Sequence, residues 1–159
     1  MTDPLPTAAQ RIADLLAAQG LAGRVAEMPA STRSAADAAR ACGCAVGQIA
    51  KSIVLRALRS DRPVVVVASG ANRVNEARIA AMLGEPVGKA DAEFVRARTG
   101  FAIGGVAPLG FSEALPVFID ADLLQHGEIW AAAGTPRSVF RLTPDELIRL
   151  TSGTVTSIV

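Results

Sequence analysis

Apolar positions recur along this chain with two periods. From Thr7, the residues Ile12, Leu15 and Leu16, with Gln19 at the same spacing, fall at helical intervals. Thr7 is read as the N-cap of this first helix, and Gly20 or Gly23 as its stop. Arg24 to Met28 then forms a short strand ended by Pro29. Ser34 caps a helix through about Ala41, with Asp37 at its third position as a short substitute for the capping-box Glu. Gly43 and Gly47 break the chain, and Gln48 opens a capped turn or the next strand. The β-rich runs Ser52–Leu58 and Pro63–Ala68 are joined by Arg59, Ser60, Asp61 and Arg62, a hairpin-length link. Asn75 caps a helix with Ile79, Met82 and Leu83 on one face and Gly84 as its stop. Asp91 caps another through about Arg98. Strands at Pro116–Asp120, Glu128–Ala133 and Ser138–Leu142 follow, with a turn at Asp122. Thr143-Pro-Asp-Glu146 starts a helix ended by Gly153, and Val155–Val159 adds an edge strand. The expected class is mixed α/β without regular βαβ repetition, part of its sheet antiparallel.

Composition narrows this picture. The 159 residues suit a single domain spanning 1–159, with residues 1–6 expected to be disordered. Half of the residues are hydrophobic and only 4% aromatic, so the core is built from Ala, Val, Leu and Ile. Sixteen basic and fifteen acidic side chains leave a formal charge of +1. A pervasive polybasic surface is thereby excluded, DNA specificity is not expected, and any nucleic-acid contact should be local. The start has neither a basic n-region nor an apolar h-region, and no 18-residue uncharged apolar run exists, so no membrane span and a cytoplasmic setting are expected. One His, His126, rules out a His-rich metal site, and Cys42 and Cys44 do not make a zinc pattern; no metal and no cofactor are expected.

Candidate chemistry gathers at a few places. Phe101-Ala-Ile-Gly-Gly-Val-Ala-Pro-Leu-Gly-Phe111 holds three glycines and a proline among apolar residues. It is either an apolar crossing between strands or a loop whose backbone N–H groups meet a ligand. Lys51, just before an apolar strand, is either an edge lysine reaching solvent or a cation at a cleft. Ser52 needs no task. Ser69-Gly70-Ala71-Asn72-Arg73 follows a strand end, a common ligand position. Arg137 can reach a phosphate or simply occupy a surface turn, and Asp120 with Asp122 is either a carboxylate pair or a turn and its cap. Gly84-Glu-Pro-Val-Gly-Lys89 lacks the spacing and the Ser/Thr of a nucleotide loop. There is no G-x-S-x-G elbow, and nothing places His126 beside a nucleophile.

Four segments together resemble the YbaK/prolyl-tRNA synthetase-associated domain family: Ser31–Ser34; Gln48-Ile-Ala-Lys51-Ser52-Ile-Val-Leu-Arg56; Gly104-Gly105-Val106-Ala107-Pro108-Leu109-Gly110; and Leu142-Thr-Pro-Asp-Glu-Leu-Ile-Arg-Leu-Thr151. The resemblance runs from about Arg24 to Val159. It implies a compact mixed α/β fold around a largely antiparallel, barrel-like sheet with helices around it. The implied activity is hydrolysis, in trans, of the ester of a mischarged tRNA, chiefly alanine or cysteine on proline tRNA in the family, with alanine or another small amino acid expected for this chain. The rival of a different class is a non-catalytic module binding a tRNA end or a synthetase surface. The implied catalytic set is Lys51, Gly104 and Gly105. The implied substrate-binding set is Thr32, Ser69, Gly70, Asn72, Val106, Ala107, Pro108, Gly110 and Arg137. Backbone amides of Gly104–Gly110 would form an oxyanion site, and the 2′-hydroxyl of the terminal adenosine would help place the attacking water. The implied partners are the tRNA acceptor end and, as helpers, prolyl-tRNA synthetase or an elongation factor. The Ser69–Arg73 turn departs from the Gly-Asp-basic sequence of many relatives.

Overall fold

The computed structural model describes residues 4–159. The disorder expected for residues 1–6 therefore falls partly outside the described residues. Pro4 to Pro6 lead directly into the first helix. Among the described residues there are five α-helices and eight strands: α1 (Thr7–Ala18), β1 (Val25–Glu27), α2 (Ala35–Cys42), β2 (Ile49–Ala57), β3 (Pro63–Ser69), α3 (Glu76–Leu83), β4 (Val87–Lys89), α4 (Ala92–Thr99), β5 (Val117–Asp120), β6 (Ile129–Ala132), β7 (Ser138–Leu142), α5 (Pro144–Thr151) and β8 (Thr154–Thr156). Short 3-10 turns cover Val46–Gln48 and Ala121–Gln125.

The strands form one sheet in the order β1-β7-β6-β2-β3-β5-β8, with β4 on β2. Pairings β1–β7, β2–β3, β2–β4 and β6–β7 are antiparallel, and β2–β6, β3–β5 and β5–β8 are parallel. The antiparallel part is thus joined to a substantial parallel part, a mixed sheet with helices packed on it. β3 is its centre. All seven of its residues are buried, because helices and loops cover both faces, and a strand buried on both faces reads as a continuous apolar run rather than an alternation. Val65 and Val67 join Ile12 and Leu16 of α1, Val95 of α4 and Leu147 of α5 on one side. Val64, Val66 and Ala68 join Ile79 of α3 and Ile158 on the other.

Side-chain caps place the helices. Ser34 accepts from the Asp37 N–H, Asn75 from the Ala77 N–H, Asp91 from the Phe94 N–H and Thr143 from the Glu146 N–H. Each satisfies a helix-end donor that would otherwise lack a partner. Thr143 and Glu146 close the full capping box. Asp37 does not play the Glu part at α2; its short carboxylate meets Arg40 at 3.3 Å instead. Thr7 is not the cap of α1. Pro6 holds that position with extended backbone, its carbonyl accepts from the Gln10 N–H, and Thr7 is already helical. Ser152, at φ 53°, takes the left-handed position after α5, one residue before the expected Gly153. The last strand is Thr154–Thr156, shorter and earlier than Val155–Val159. β4 had no counterpart in the sequence reading: three residues, one of them glycine, are a strand only because Leu55–Ala57 offers an edge to pair with.

Candidate active site

The site is built where β2 loses a neighbour. β6 pairs with it only at Ile49↔Trp130 and Ala50↔Ala131, and β4 only from Leu55 to Ala57. Between them, Lys51–Val54 has β3 on one side and no strand on the other. The Ile49 carbonyl accepts from the Gly70 N–H at 2.8 Å, and the Ala57 N–H donates to the Arg62 carbonyl at 2.9 Å. Odd-numbered residues of β2 therefore bond toward β3. Backbone direction alternates along an antiparallel strand, so Ser52 and Val54 turn their N–H and C=O groups to the open side.

A small cavity sits at this opening. It is lined by Thr32, Arg33 and Ser34 before α2, Ala35 and Ala38 of α2, Ile49–Ser52 of β2, Gly104 and Val106 of the Gly-rich loop, Trp130–Ala132 of β6 and Val139 of β7. The centre of a water-sized sphere has about 50 Å³ available inside it. One water needs about 10–15 Å³ on that measure, so the cavity takes only a few heavy atoms. On the other side of Lys51 lies a wider groove of about 440 Å³ on the same measure. It runs over Ile53, Leu55, Ala68 and Ala90, with Arg73, Glu76 and Lys89 at its edges. Lys51 borders both spaces. Its side chain is exposed, and among the described residues it has no carboxylate within 4 Å.

The Gly-rich loop divides in two. Gly104 lies at φ 91°, and a Cβ there would stand 2.8 Å from the Arg33 Cγ, so glycine lets the arginine stem cross the loop. Among the described residues, the Gly104 and Val106 N–H groups have no hydrogen-bond acceptor. Gly105, expected in the catalytic set, is placed differently. Its N–H donates to the Ala102 carbonyl at 3.0 Å, and a Cβ on it would meet the Thr135 backbone at 2.7 Å. It packs against the 134–137 turn and does not line the cavity. Ala107 is fully buried in the core. Pro108 and Gly110 border a different depression with Phe111 and Leu150, and Gly110 packs against Ile12 and Leu15 of α1. The expected cradle from Gly104 to Gly110 thus contracts to Gly104 and Val106, because the chain after Val106 turns into the core.

The Ser69–Asn72 turn is fully engaged. The buried Asp120 carboxylate accepts from the Ser69 N–H, the Asn72 amide and the Asp122 N–H, each at 2.9 Å. The Asn72 amide also donates to Asp122 at 2.7 Å, and the Ser69 hydroxyl donates to the Gly47 carbonyl at 2.8 Å. A Cβ on Gly70 would stand 2.5 Å from the Val46 carbonyl oxygen. Ser69, Gly70 and Asn72 therefore shape the wall of the wider groove while their polar groups hold the turn. Asp120 and Asp122 are its anchors. Thr32 lines the small cavity, but its hydroxyl donates to the Pro136 carbonyl at 2.8 Å. Arg137 lies outside that cavity, in a neighbouring surface depression with Glu27, Ser31 and Arg33.

Arg33, Ser52 and Trp130 line the cavity without being among the residues expected there. Arg33 lies in the quoted Ser31–Ser34 segment, yet nothing local shows that its stem crosses Gly104. Both thiols favour the neutral form: burial pushes the Cys42 thiol up to about 11, with the nearby Cys44 adding to the rise, and Cys44 is raised by burial as well. Neither lines the cavity. Among the described residues no cluster of His, Cys, Asp and Glu can hold a metal ion.

The sequence pattern of the aminoacyl-tRNA editing domain matches residues 29–150, which include Lys51, Gly104 and Val106. The chain belongs to this family. A crystal structure described provisionally as a trans-editing enzyme for prolyl tRNA synthetase is 43% identical, covers 98% of both chains and superposes with a TM-score of 0.90. A protein of Enterococcus faecalis, described provisionally as a Cys-tRNA(Pro)/Cys-tRNA(Cys) deacylase, EbsC, is 27% identical over 76% of this chain and 73% of its own. The uncharacterised YwhH of Bacillus subtilis is 29% identical over 77% of this chain and 78% of its own. Membership of the editing-domain family makes aminoacyl-tRNA deacylation the class of activity that the relatives support. Among the described residues no helix is long and apolar enough to cross a membrane.

Proposed function

We propose that this editing-domain protein hydrolyses, in trans, the ester of a tRNA carrying a wrong small amino acid, with alanine on proline tRNA the first candidate. The carrying observation is the small cavity at the open edge of β2, bordered by Lys51, Gly104 and Val106, the last two with N–H groups that have no acceptor among the described residues. Its size suits a side chain of one or two carbons. An aminoacyl ester is already activated, so water can attack it where the developing oxyanion meets prealigned donors. Gly104 and Val106 are the donors in this reading. Lys51 steadies the anionic transition state or the terminal phosphate from the boundary of the two spaces. The wider groove, with Arg73 and Lys89 at its edges, receives the terminal nucleotides. The adenosine 2′-hydroxyl positions the water, and no protein nucleophile is required. The near-neutral charge suits a grip on the acceptor end alone, with prolyl-tRNA synthetase or an elongation factor as helper.

A second checking site is useful because one methylene changes discrimination by only about 1–3 kcal/mol. The test is a deacylation panel of alanyl, cysteinyl, seryl and threonyl esters on their mischarged tRNAs with purified protein. Fastest turnover is expected for alanine on proline tRNA. Lack of turnover on every ester overturns the reading and leaves a binding module.

A further inference from the structure

Ser52 carries the only buried side-chain N or O atom without a hydrogen-bond partner among the described residues. It sits in an otherwise apolar row on one face of β2, with Ala50 before it and Val54 after it. A buried hydroxyl without a partner costs stability, and an alanine there would avoid that cost. Ser52 also lines the small cavity. Its backbone N–H and C=O belong to the open edge between β6 and β4. The buried Ser52 Oγ and the Ser52 carbonyl on the open edge are thus two neutral acceptors on one residue of a cavity whose lining also includes apolar Ile49, Val106 and Trp130 and the cations Arg33 and Lys51.

We infer that Ser52 and the open edge of β2 form a subsite for the α-amino group of the aminoacyl ester. This rests on the deacylase reading above. In that reading the ester carbonyl takes the Gly104 and Val106 donors, and the small side chain takes the apolar wall. The remaining polar group beside the ester is the α-amine, a donor, and Ser52 offers the acceptors. No carboxylate lines the cavity, so the protonated amine is held by hydrogen bonds to neutral acceptors. The subsite discriminates amino acids from deamino acyl groups and contributes nothing to choosing among side chains.

Two non-hydrolysable probes differing only in the amine test this: 3′-(L-alanylamino)-3′-deoxyadenosine and its 3′-propionylamino counterpart, titrated into the intact protein by NMR. Wild type should bind the alanyl probe about 10- to 100-fold more tightly, the range for hydrogen bonds to a charged group. Ser52→Ala should lose most of this preference, keeping only the share that the backbone carbonyl of residue 52 supplies, with binding of the propionyl probe unchanged. Its melting temperature should be unchanged or higher, whereas a structural hydroxyl would lower it. Equal binding of the two probes by wild type, undiminished discrimination in Ser52→Ala, or no binding of either probe overturns the subsite. If wild type deacylates the ester panel yet binds the probes equally, the subsite falls and the activity stands. If it discriminates the probes yet deacylates nothing, the activity falls and the subsite stands.

Discussion

The Ser69–Asn72 turn, where β3 ends opposite Ala50, and the Lys51–Val54 edge that follows Ala50 on β2 are neighbours, and both carry polar groups. They differ in what folding has done with those groups. In the turn, the Asp120 carboxylate, the Asn72 amide and the Ser69 hydroxyl all have partners within the protein. At the edge, the Ser52 hydroxyl has no partner, Lys51 has no carboxylate, and the backbone of Ser52 and Val54 faces an unpaired side. Polar groups that are satisfied internally hold shape. Those left without partners at a cavity are available to a ligand, and their unpaired state has a stability cost that a purely structural design would avoid. In the proposed function the adjacent strands divide the work of scaffold and site.

The sharpest way to break this division is Lys51→Ala. If the edge is the working side, single-turnover deacylation should fall by about 100-fold or more, the scale seen when one group stabilising an anionic transition state is removed. Lys51 is exposed, so its replacement should move stability by only about 0.5 kcal/mol or less. A full rate in this variant would return Lys51 to an ordinary edge lysine and remove the electrostatic half of the proposed mechanism.

The reciprocal experiment is Asp120→Asn, which attacks the scaffold. The asparagine keeps one acceptor and places an NH₂ group among the Ser69, Asn72 and Asp122 donors. At least one buried donor then loses its partner, at a cost of about 1–3 kcal/mol in urea unfolding. Equal effects of Lys51→Ala and Asp120→Asn on stability would erase the contrast between the two regions. Gly105→Ala sharpens it within the loop. The added Cβ meets the Thr135 backbone at 2.7 Å, so the variant should lose about 1–3 kcal/mol through overpacking. Unchanged stability with a blocked cavity would restore Gly105 to the pocket wall, where the sequence reading put it.

The packing of Gly105 on the Thr135 backbone shows where legibility ends. Ser34, Asn75, Asp91 and Thr143 cap their helices through bonds spanning two or three residues, so the chain states them locally. The Pro63–Ala68 run announces a doubly covered strand by its unbroken apolar character. Lys51 was visible as a cation at the start of such a run, and the four-segment resemblance led to the family. What stayed hidden depends on distant partners. Asp120 reaches Ser69 across 51 positions, and nothing near Asn72 shows that its amide is already engaged. Glycine signals close approach at both Gly104 and Gly105. Only the fold reveals that one meets the Arg33 stem at the cavity and the other the Thr135 backbone behind it. The gap in β2 pairing was illegible for the same reason, since it is set by where β6 leaves and β4 arrives.

The smallest expected effect belongs to the thiols. Cys42 and Cys44 lie at the end of α2 and just beyond it, near the Trp130 side of the cavity but not on its lining. Burial holds the Cys42 thiol up at about 11. A raised folded-state value means that the neutral thiol is favoured. Whatever stability it contributes is fully present below the unfolded value and is lost as pH rises from there through the folded one. Between pH 6 and 8 neither the fold nor the reaction should draw on thiolate. The Cys42→Ser/Cys44→Ser protein should therefore deacylate at the wild-type rate within about twofold, with the same pH profile over that window. A collapse in rate with melting unchanged would mean that a sulfur, and not a substrate-placed water, attacks the ester. The open edge of β2 would then be a binding surface serving a thiol enzyme.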